Sequence, residues 1–122
     1  MKTRYFLGLP FVTLNVGIKE IEAIIDTGFN GALLLPQEII KEIKLKKIGV
    51  SDYIMADGTT SETELYLSEI EWIGKKKKVT VVSSSSDIAL VGMELLYDSK
   101  ITLSPSEEIL TIESIKSSNK EE

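Results

Sequence analysis

Hydrophobic residues alternate with polar ones near the start of the chain, and this is the pattern of β-strands. Val12, Leu14 and Val16 are separated by single polar residues, so this run predicts a half-buried strand. A second strand is predicted over "IEAIID" (residues 21–26) after a short turn. The segment "GALLL" (residues 31–35) is continuously apolar and closes at a proline, which suits a fully buried strand. The first third of the chain is therefore predicted to be β-structure.

A helix is predicted directly after the third strand. Pro36 suits the first turn of a helix, and Ile39, Ile40 and Ile43 recur at helical spacing. A second short helix is predicted in "MELLYDS" (residues 93–99). The pattern thus indicates one or two short helices in an otherwise extended chain.

Three hairpins are predicted in the remainder. The first joins residues 50–55 to residues 62–73 through the polar tip "ADGTTS", whose Asp-Gly pair favours a turn. The second places four lysines, Lys75–Lys78, on a solvated turn and sheet edge. The last turns at residues 104–106, and it follows a short buried strand in "IALVG" (residues 88–92). The chain is therefore expected to be all-β apart from its short helices.

Size and composition fit a single globular domain. The chain has 122 residues, of which 43% are hydrophobic and 27% charged, so it is long enough for one core and too short for two. Residues 1–115 are expected to form that domain, and residues 116–122 a loose polar tail. The net charge of -5 disfavours nucleic acid as a partner.

The N-terminal apolar run is interrupted and alternates like a strand, so it lacks the continuous apolar centre of a signal peptide. No apolar run approaches the roughly 18 residues of a membrane helix. We therefore expect a cytoplasmic protein that has no membrane partner.

The absence of cysteine and histidine narrows the chemistry that the chain can perform. It excludes Ser-His and Cys-His nucleophile systems, and zinc sites built on imidazole or thiolate. Carboxylate, hydroxyl, lysine and oxygen-ligated metal chemistry remain. Glu62, Glu64, Glu69 and Glu71 are expected to form a solvated strand face, because hard-cation sites usually gather carboxylates on one compact loop. Neither a metal nor a cofactor is therefore expected.

One carboxylate interrupts an apolar region and is the leading candidate for chemistry. Asp26 lies in "AIIDTGFNGALLLP" (residues 23–36), where an unpaired buried charge would be costly. Asp and Gly are also favoured turn residues, so the triplet taken alone favours a tight turn in an unrelated small β-protein. On the triplet alone, both explanations stay open.

A second apolar element near the C-terminus gives the triplet a context. Two apolar residues precede Gly92 in "ALVGMELL", and paired leucines follow. With these two elements the sequence resembles the retropepsin-like aspartic proteases, in which an apolar-apolar-Asp-Thr/Ser-Gly triplet opens the active-site loop and an apolar-apolar-Gly segment packs across it. The matching residues are Ile24, Ile25, Asp26, Thr27 and Gly28 in the first element and Leu90, Val91, Gly92, Leu95 and Leu96 in the second. The resemblance covers most of residues 10–104.

The resemblance implies a closed, barrel-like all-β fold with a flap hairpin, and a homodimer as the active species. Two carboxylates that share one proton can hydrolyse an amide, because one activates water while the other polarises the carbonyl. This chain has one such aspartate, so Asp26 is expected to meet its symmetry mate across a two-fold axis, and a monomer to be inactive. The implied activity is that of an aspartic endopeptidase acting on a peptide or an unfolded protein. The alternative is a homodimer of the same fold that binds peptide or protein and hydrolyses it poorly or not at all.

The resemblance also implies roles for the neighbouring residues. Thr27 is expected to bond to the partner loop, and Gly28 to let the substrate backbone approach closely. The polar-tipped hairpin corresponds to the flap that covers substrate in this family, with residues 56–58 at or near its tip. The expected catalytic residues are Asp26, Thr27 and Gly28. The expected substrate-binding residues are Gly28, Phe29, Asn30, Met55, Ala56, Asp57, Gly58 and Leu90, with Leu33 and Ile88 as further pocket candidates.

Two departures from the family pattern carry further expectations. Phe29 follows the triplet where relatives usually have Ala or Ser, which resembles a "DTGF" branch of prokaryotic relatives. Because phenylalanine offers no hydroxyl to the ionised pair, we expect a less acidic pH optimum than in the pepsins, whose pair titrates at about 1.5 and 4.7. Asn30 and Met93 stand where retroviral members pair an acidic residue with an arginine. Both charges are lost together, so the dimer contacts are expected to differ.

Overall fold

The computed structural model of the chain describes residues 1–54 and 56–115. Within these residues it contains ten β-strands, two short α-helices and one 3-10 turn. Two predictions from the sequence, the loose tail over residues 116–122 and a substrate contact by Met55, lie outside the described residues.

The strands and helices follow the hydrophobic pattern closely. The strands are β1 Thr3–Phe6, β2 Leu9–Val16, β3 Lys19–Ile25, β4 Leu33–Pro36, β5 Lys46–Ile54, β6 Thr60–Trp72, β7 Lys75–Ser84, β8 Leu90–Val91, β9 Ser99–Ser104 and β10 Ile109–Ser114. The helices are α1 Gln37–Ile43 and α2 Met93–Leu96, and the 3-10 turn Pro105–Glu107 separates β9 from β10. Each strand and helix predicted from the sequence is present, with its ends shifted by a few residues.

Eight of these strands form one mixed sheet. Their order is β1-β2-β3-β8-β4-β7-β6-β5, and β9 and β10 form a separate hairpin. An additional pairing of β2 with β6, at Asn15 and Val16, joins distant parts of the sheet and closes it into a ring. The closed, barrel-like all-β fold expected from the sequence is thus confirmed.

The hairpin of β1 and β2 was not predicted, because the N-terminal run was interpreted as one strand. The chain turns at Leu7 and Gly8, whose φ angles are +53° and +79°. Left-handed backbone is common for glycine and uncommon for leucine, and the Leu7 side chain is exposed. Because Leu7 is apolar, the hydrophobic pattern gave no indication of a turn at this position.

The core lies inside the ring. Its most buried side chains include Val12, Leu14, Val16, Ala23, Ile25, Leu33, Leu35, Ile40, Ile70, Trp72, Val81, Val91, Leu95 and Leu96. Trp72 also donates a hydrogen bond from its indole N–H to Ser99 Oγ at 3.2 Å. This bond satisfies the polar atom of a buried ring and joins β6 to β9.

The surface of β6 and β7 is charged. Lys75–Lys78 are exposed, as expected, but they lie in strand β7 and the turn is formed by Ile73 and Gly74. Glu69 lies opposite Lys78, and Glu71 opposite Lys76, so opposite charges face each other across the two strands. Neither helix in the described part of the chain has the length and apolar character that crossing a bilayer requires.

Candidate active site

The Asp26 loop begins where three strands meet. β8 lies between β3 and β4. It runs parallel to β3, with Leu90 opposite Ile24, and antiparallel to β4, with Val91 opposite Leu33. The amide of Asp26 donates to the carbonyl of Val91 at 2.9 Å. The apolar segment before Gly92, which forms β8, therefore packs directly against β3, the strand that ends just before Asp26, as the resemblance implied.

The carboxylate of Asp26 is held by its own loop. Its Oδ1 accepts a hydrogen bond from the Gly28 amide at 2.8 Å. The backbone carbonyl of Asp26 accepts a further bond from the Phe29 amide at 3.2 Å, which closes the turn. The residue is half-buried, and among residues 1–54 and 56–115 the Gly28 amide is the one hydrogen-bond partner of its carboxylate. One oxygen is thus oriented, and the other can bind water or a partner group.

Helix α2 fixes the other side of the loop. The amide of Met93 donates to the carbonyl of Phe29 at 2.8 Å, and the amide of Glu94 to the carbonyl of Gly31 at 3.1 Å. The first amides of a helix have no partner within the helix. Since the loop carbonyls supply these partners, the loop and the helix orient each other.

The ring of Phe29 lies beneath the loop, between two glycines. A Cβ on Gly92 would overlap with this ring and with the carbonyl oxygen of Gly31, and a Cβ on Gly31 would lie 2.6 Å from the ring Cζ. The ring also packs with Leu34 and Val82. The absence of side chains at both glycines therefore makes the space that the ring occupies.

This arrangement corrects two expectations from the sequence. Phe29 and Leu33 were expected to line the substrate cleft, but both side chains are 0% exposed. Neither side chain can contact a substrate in this structure, because both pack into the interior. The supporting role of Gly31 was missed, although a glycine two residues after the phenylalanine was the visible signal.

The hairpin of β5 and β6 folds over the Asp26 loop. A Cβ on Gly28 would lie 2.6 Å from the Cβ of Ala56 and 2.8 Å from its Cα. The hairpin tip therefore contacts the loop at Gly28. Beside this contact, the amide of Ile54 donates to Asn30 Oδ1 at 3.3 Å. The sequence placed Asn30 near a substrate, and the structure shows its side chain bonded to the hairpin.

Asp57 closes the turn at the hairpin tip. Its Oδ1 accepts hydrogen bonds from the amide and the hydroxyl of Thr59, at 2.9 and 2.7 Å. These two bonds, the hydroxyl one first, hold the pKa of Asp57 below its usual value. Gly58 has a φ of +86°, a conformation that suits a glycine. The segment predicted as the flap tip is thus the turn of a long hairpin.

The structure places the other candidate residues around this loop. Thr27 is exposed beside Asp26, and Leu90 is half-buried in β8. Ile88, just before β8, is 48% exposed.

A cavity of about 420 Å³ between Trp72 and Leu95 includes none of the predicted site residues. The part of the chain that the structure describes has no group of three or more Asp or Glu residues placed to hold a metal ion.

Solved structures of known proteins share this fold. The chain is similar to the EIAV protease in complex with an inhibitor, at 19% identity, with 81% of this chain and 98% of that chain covered and a TM-score of 0.66. It is similar to a retropepsin-like aspartic protease from Rickettsia conorii at 21% identity, over 93% of this chain and 86% of that chain, with a TM-score of 0.63. It also matches a foamy viral protease-reverse transcriptase at 20% identity and a TM-score of 0.55, over 73% of this chain and 12% of that chain.

No family model and no curated protein matches the sequence. The structural likeness nevertheless defines the architecture, since the mixed sheet closes into a ring with two short helices in the same way. The fold is that of the retropepsin-like aspartic proteases.

Proposed function

We propose that the protein is a homodimeric aspartic endopeptidase, with one Asp26 from each of two copies forming the catalytic pair. The observation that carries this proposal is the placement of Asp26. Its carboxylate stands at the end of β3 in a retropepsin fold, and one oxygen is oriented by the Gly28 amide. The two copies would be related by a two-fold axis that passes between their loops.

The proposed reaction is the addition of water to a peptide carbonyl. The ionised carboxylate of the pair removes a proton from water as the water oxygen attacks the carbonyl carbon. The protonated carboxylate donates a hydrogen bond to the carbonyl oxygen and gives up its proton as the tetrahedral diol forms. The carboxyl that took the proton from water then gives it to the amide nitrogen, while the other carboxylate takes a proton from a diol hydroxyl. The C–N bond breaks, a carboxylic acid and an amine are released, and the pair again shares one proton. The hydrogen bonds from α2 to the loop support this reaction by limiting movement of Asp26.

One neighbour of Asp26 supports the dimeric arrangement. Thr27 is exposed on the loop, where its hydroxyl can both donate a hydrogen bond to a partner loop and accept one from it.

Phe29 follows the triplet and supports a further proposal, that the chain belongs to the "DTGF" branch of prokaryotic relatives. Because neither Asn30 nor Met93 is charged, this dimer would lack the ion pair that the resemblance associates with retroviral members.

A second candidate function is a homodimer of the same fold that binds peptide or protein and cleaves it slowly or not at all. Phe29 favours it over an efficient protease, because phenylalanine offers the proposed carboxylate pair no hydroxyl. Both functions use the same groove and differ in the chemistry of Asp26.

Replacing Asp26 by asparagine separates these functions, because it keeps the shape and removes the ionisable group. For the protease, Asp26→Asn should lower cleavage of an unfolded protein by about 10²- to 10⁴-fold, while the dimer mass in solution stays the same. Asp98→Asn, at an exposed aspartate after α2, is the matched control and should cleave like the wild type.

Two other outcomes would contradict the protease proposal. Equal peptide affinity of wild type and Asp26→Asn, with no cleavage by either, would support the binding homodimer. A variant that is more stable than the wild type and monomeric would mean that Asp26 is a tolerated charge in a turn.

A further inference from the structure

The flap of this chain rests on the active-site loop of the same chain. Ala56, at the hairpin tip, lies so close to Gly28 that a Cβ on the glycine would come within 2.6 Å of it. Gly28 is the residue at which the proposed function requires close approach of a substrate backbone. The flap tip and an extended peptide therefore compete for the same space.

One side chain joins the flap to the loop in this position. Asn30 is exposed, and its Oδ1 accepts a hydrogen bond from the Ile54 amide at 3.3 Å. Ile54 is the last residue of β5, which lies at one edge of the eight-stranded sheet. An edge strand leaves part of its backbone groups without a neighbouring strand. Asn30 supplies an acceptor to one such group.

We propose that Asn30 is a positioning residue that latches the flap over Gly28, so that a peptide must displace the Asn30–Ile54 hydrogen bond to enter. The consequence for peptide entry rests on the proposed function, whereas the latch itself rests on contacts within the chain. A neutral amide suits this role because its oxygen accepts a hydrogen bond without requiring a nearby cation.

A single exposed hydrogen bond makes this a weak latch. The net contribution of such a bond is small, because water replaces the partner when the bond breaks. A peptide carbonyl can replace the Asn30 oxygen as acceptor for the Ile54 amide, so binding can compensate for opening the latch. The latch would reduce the apparent affinity for peptide by the fraction of chains that are closed.

Amide hydrogen exchange at Ile54, followed by NMR without any ligand, tests the latch directly. In Asn30→Leu, which keeps similar bulk but removes the acceptor, exchange at Ile54 should be about two- to tenfold faster than in the wild type. In Asn30→Asp the carboxylate oxygen can accept the same bond, so protection should return. The matched control is Asn15→Leu, at an exposed asparagine on β2 that bonds to Glu71.

A second variant tests the contact at the flap tip. Gly28→Ala should also accelerate exchange at Ile54, because its Cβ cannot occupy the same space as Ala56. Combining Gly28→Ala with Asn30→Leu should add little, since either change alone already opens the flap. Amides of β3 should keep their protection in each variant, which distinguishes flap opening from a loss of fold.

The result that would overturn the latch is an Ile54 amide that exchanges equally fast in the wild type and in Asn30→Leu. A different result would contradict the protease proposal. If Ile54 is protected through Asn30 but neither the wild type nor Asn30→Leu cleaves any peptide, the latch is supported and the endopeptidase is contradicted.

Discussion

Phe29 shows how a residue next to the Asp-Thr-Gly triplet can serve the fold. The loop backbone turns at Asp26, and the side chain of Phe29, three residues later, points into a space bounded by Gly31 and Gly92. The ring packs with Leu34 and Val82 in a small cluster, so it supports the loop from below. Phenylalanine offers no hydroxyl to the proposed pair of aspartates, and a less acidic pH optimum than that of the pepsins stays a prediction.

Truncation of Phe29 should therefore destabilise the protein as a core substitution does. Phe29→Ala is expected to lower the free energy of unfolding by about 3 to 5 kcal/mol, the usual cost when a buried ring leaves a cavity. Phe6→Ala is the matched control, because Phe6 is 48% exposed and lies beneath the guanidinium of Arg4. Its cost should be about 1 kcal/mol or less.

Urea unfolding of the two variants at equal protein concentration measures this difference. Similar losses of stability at both positions would contradict the buried position of Phe29. A loss of activity in Phe29→Ala with full stability would instead indicate that the ring acts on substrate.

The strands and helices were largely predictable because their hydrophobic periods are strong. The alternation in β2 and β3 and the helical spacing of α1 each bury one face, and the apolar run of β4 is buried throughout. The triplet and the apolar segment before Gly92 also located the loop correctly. Both signals are local in sequence, so a single chain displays them.

What could not be predicted depends on which distant elements meet. The turn at Leu7 was hidden by an apolar side chain in a left-handed conformation. The burial of Phe29 and Leu33 depends on the direction in which each side chain leaves a loop or strand. The bond from Asn30 to Ile54 joins residues on a loop and a flap, and no periodic pattern relates them.

The flap turn gives a prediction about pH. The hydrogen bonds from Thr59 hold the pKa of Asp57 below its usual value, so the ionised form stabilises the folded turn. That stabilisation is fully present above the ordinary Asp pKa of about 3.9, and it is lost as the pH falls through the lower folded value. The turn should therefore loosen only in strongly acidic solution.

NMR titration of the Asp57 carboxyl group, together with the Thr59 amide shift, measures this effect. Thr59→Val removes the hydroxyl donor and should move the pKa of Asp57 up toward its ordinary value. A wild-type pKa of Asp57 at or above about 3.9 would contradict the hydrogen-bonded turn.

At the scale of the whole molecule, the fold supplies one carboxylate where the proposed chemistry needs two. The ring of strands, the α2 contacts and the flap together present Asp26 on a loop whose neighbour Thr27 is exposed. A second copy related by a two-fold axis would bring an identical loop to face it. The proposed activity is therefore a property of the dimer, and no single chain should show it.

Mixing wild type with Asp26→Asn tests this claim most directly. The two chains are unfolded together at a one-to-one ratio and refolded, so that copies pair at random. The rate of peptide cleavage is compared with that of wild type alone, refolded at the same total protein concentration. If each site takes one Asp26 from each copy, about one quarter of the dimers carry both aspartates, and about one quarter of the activity should remain. Retention of about one half would mean that each chain acts alone, and it would contradict the shared site.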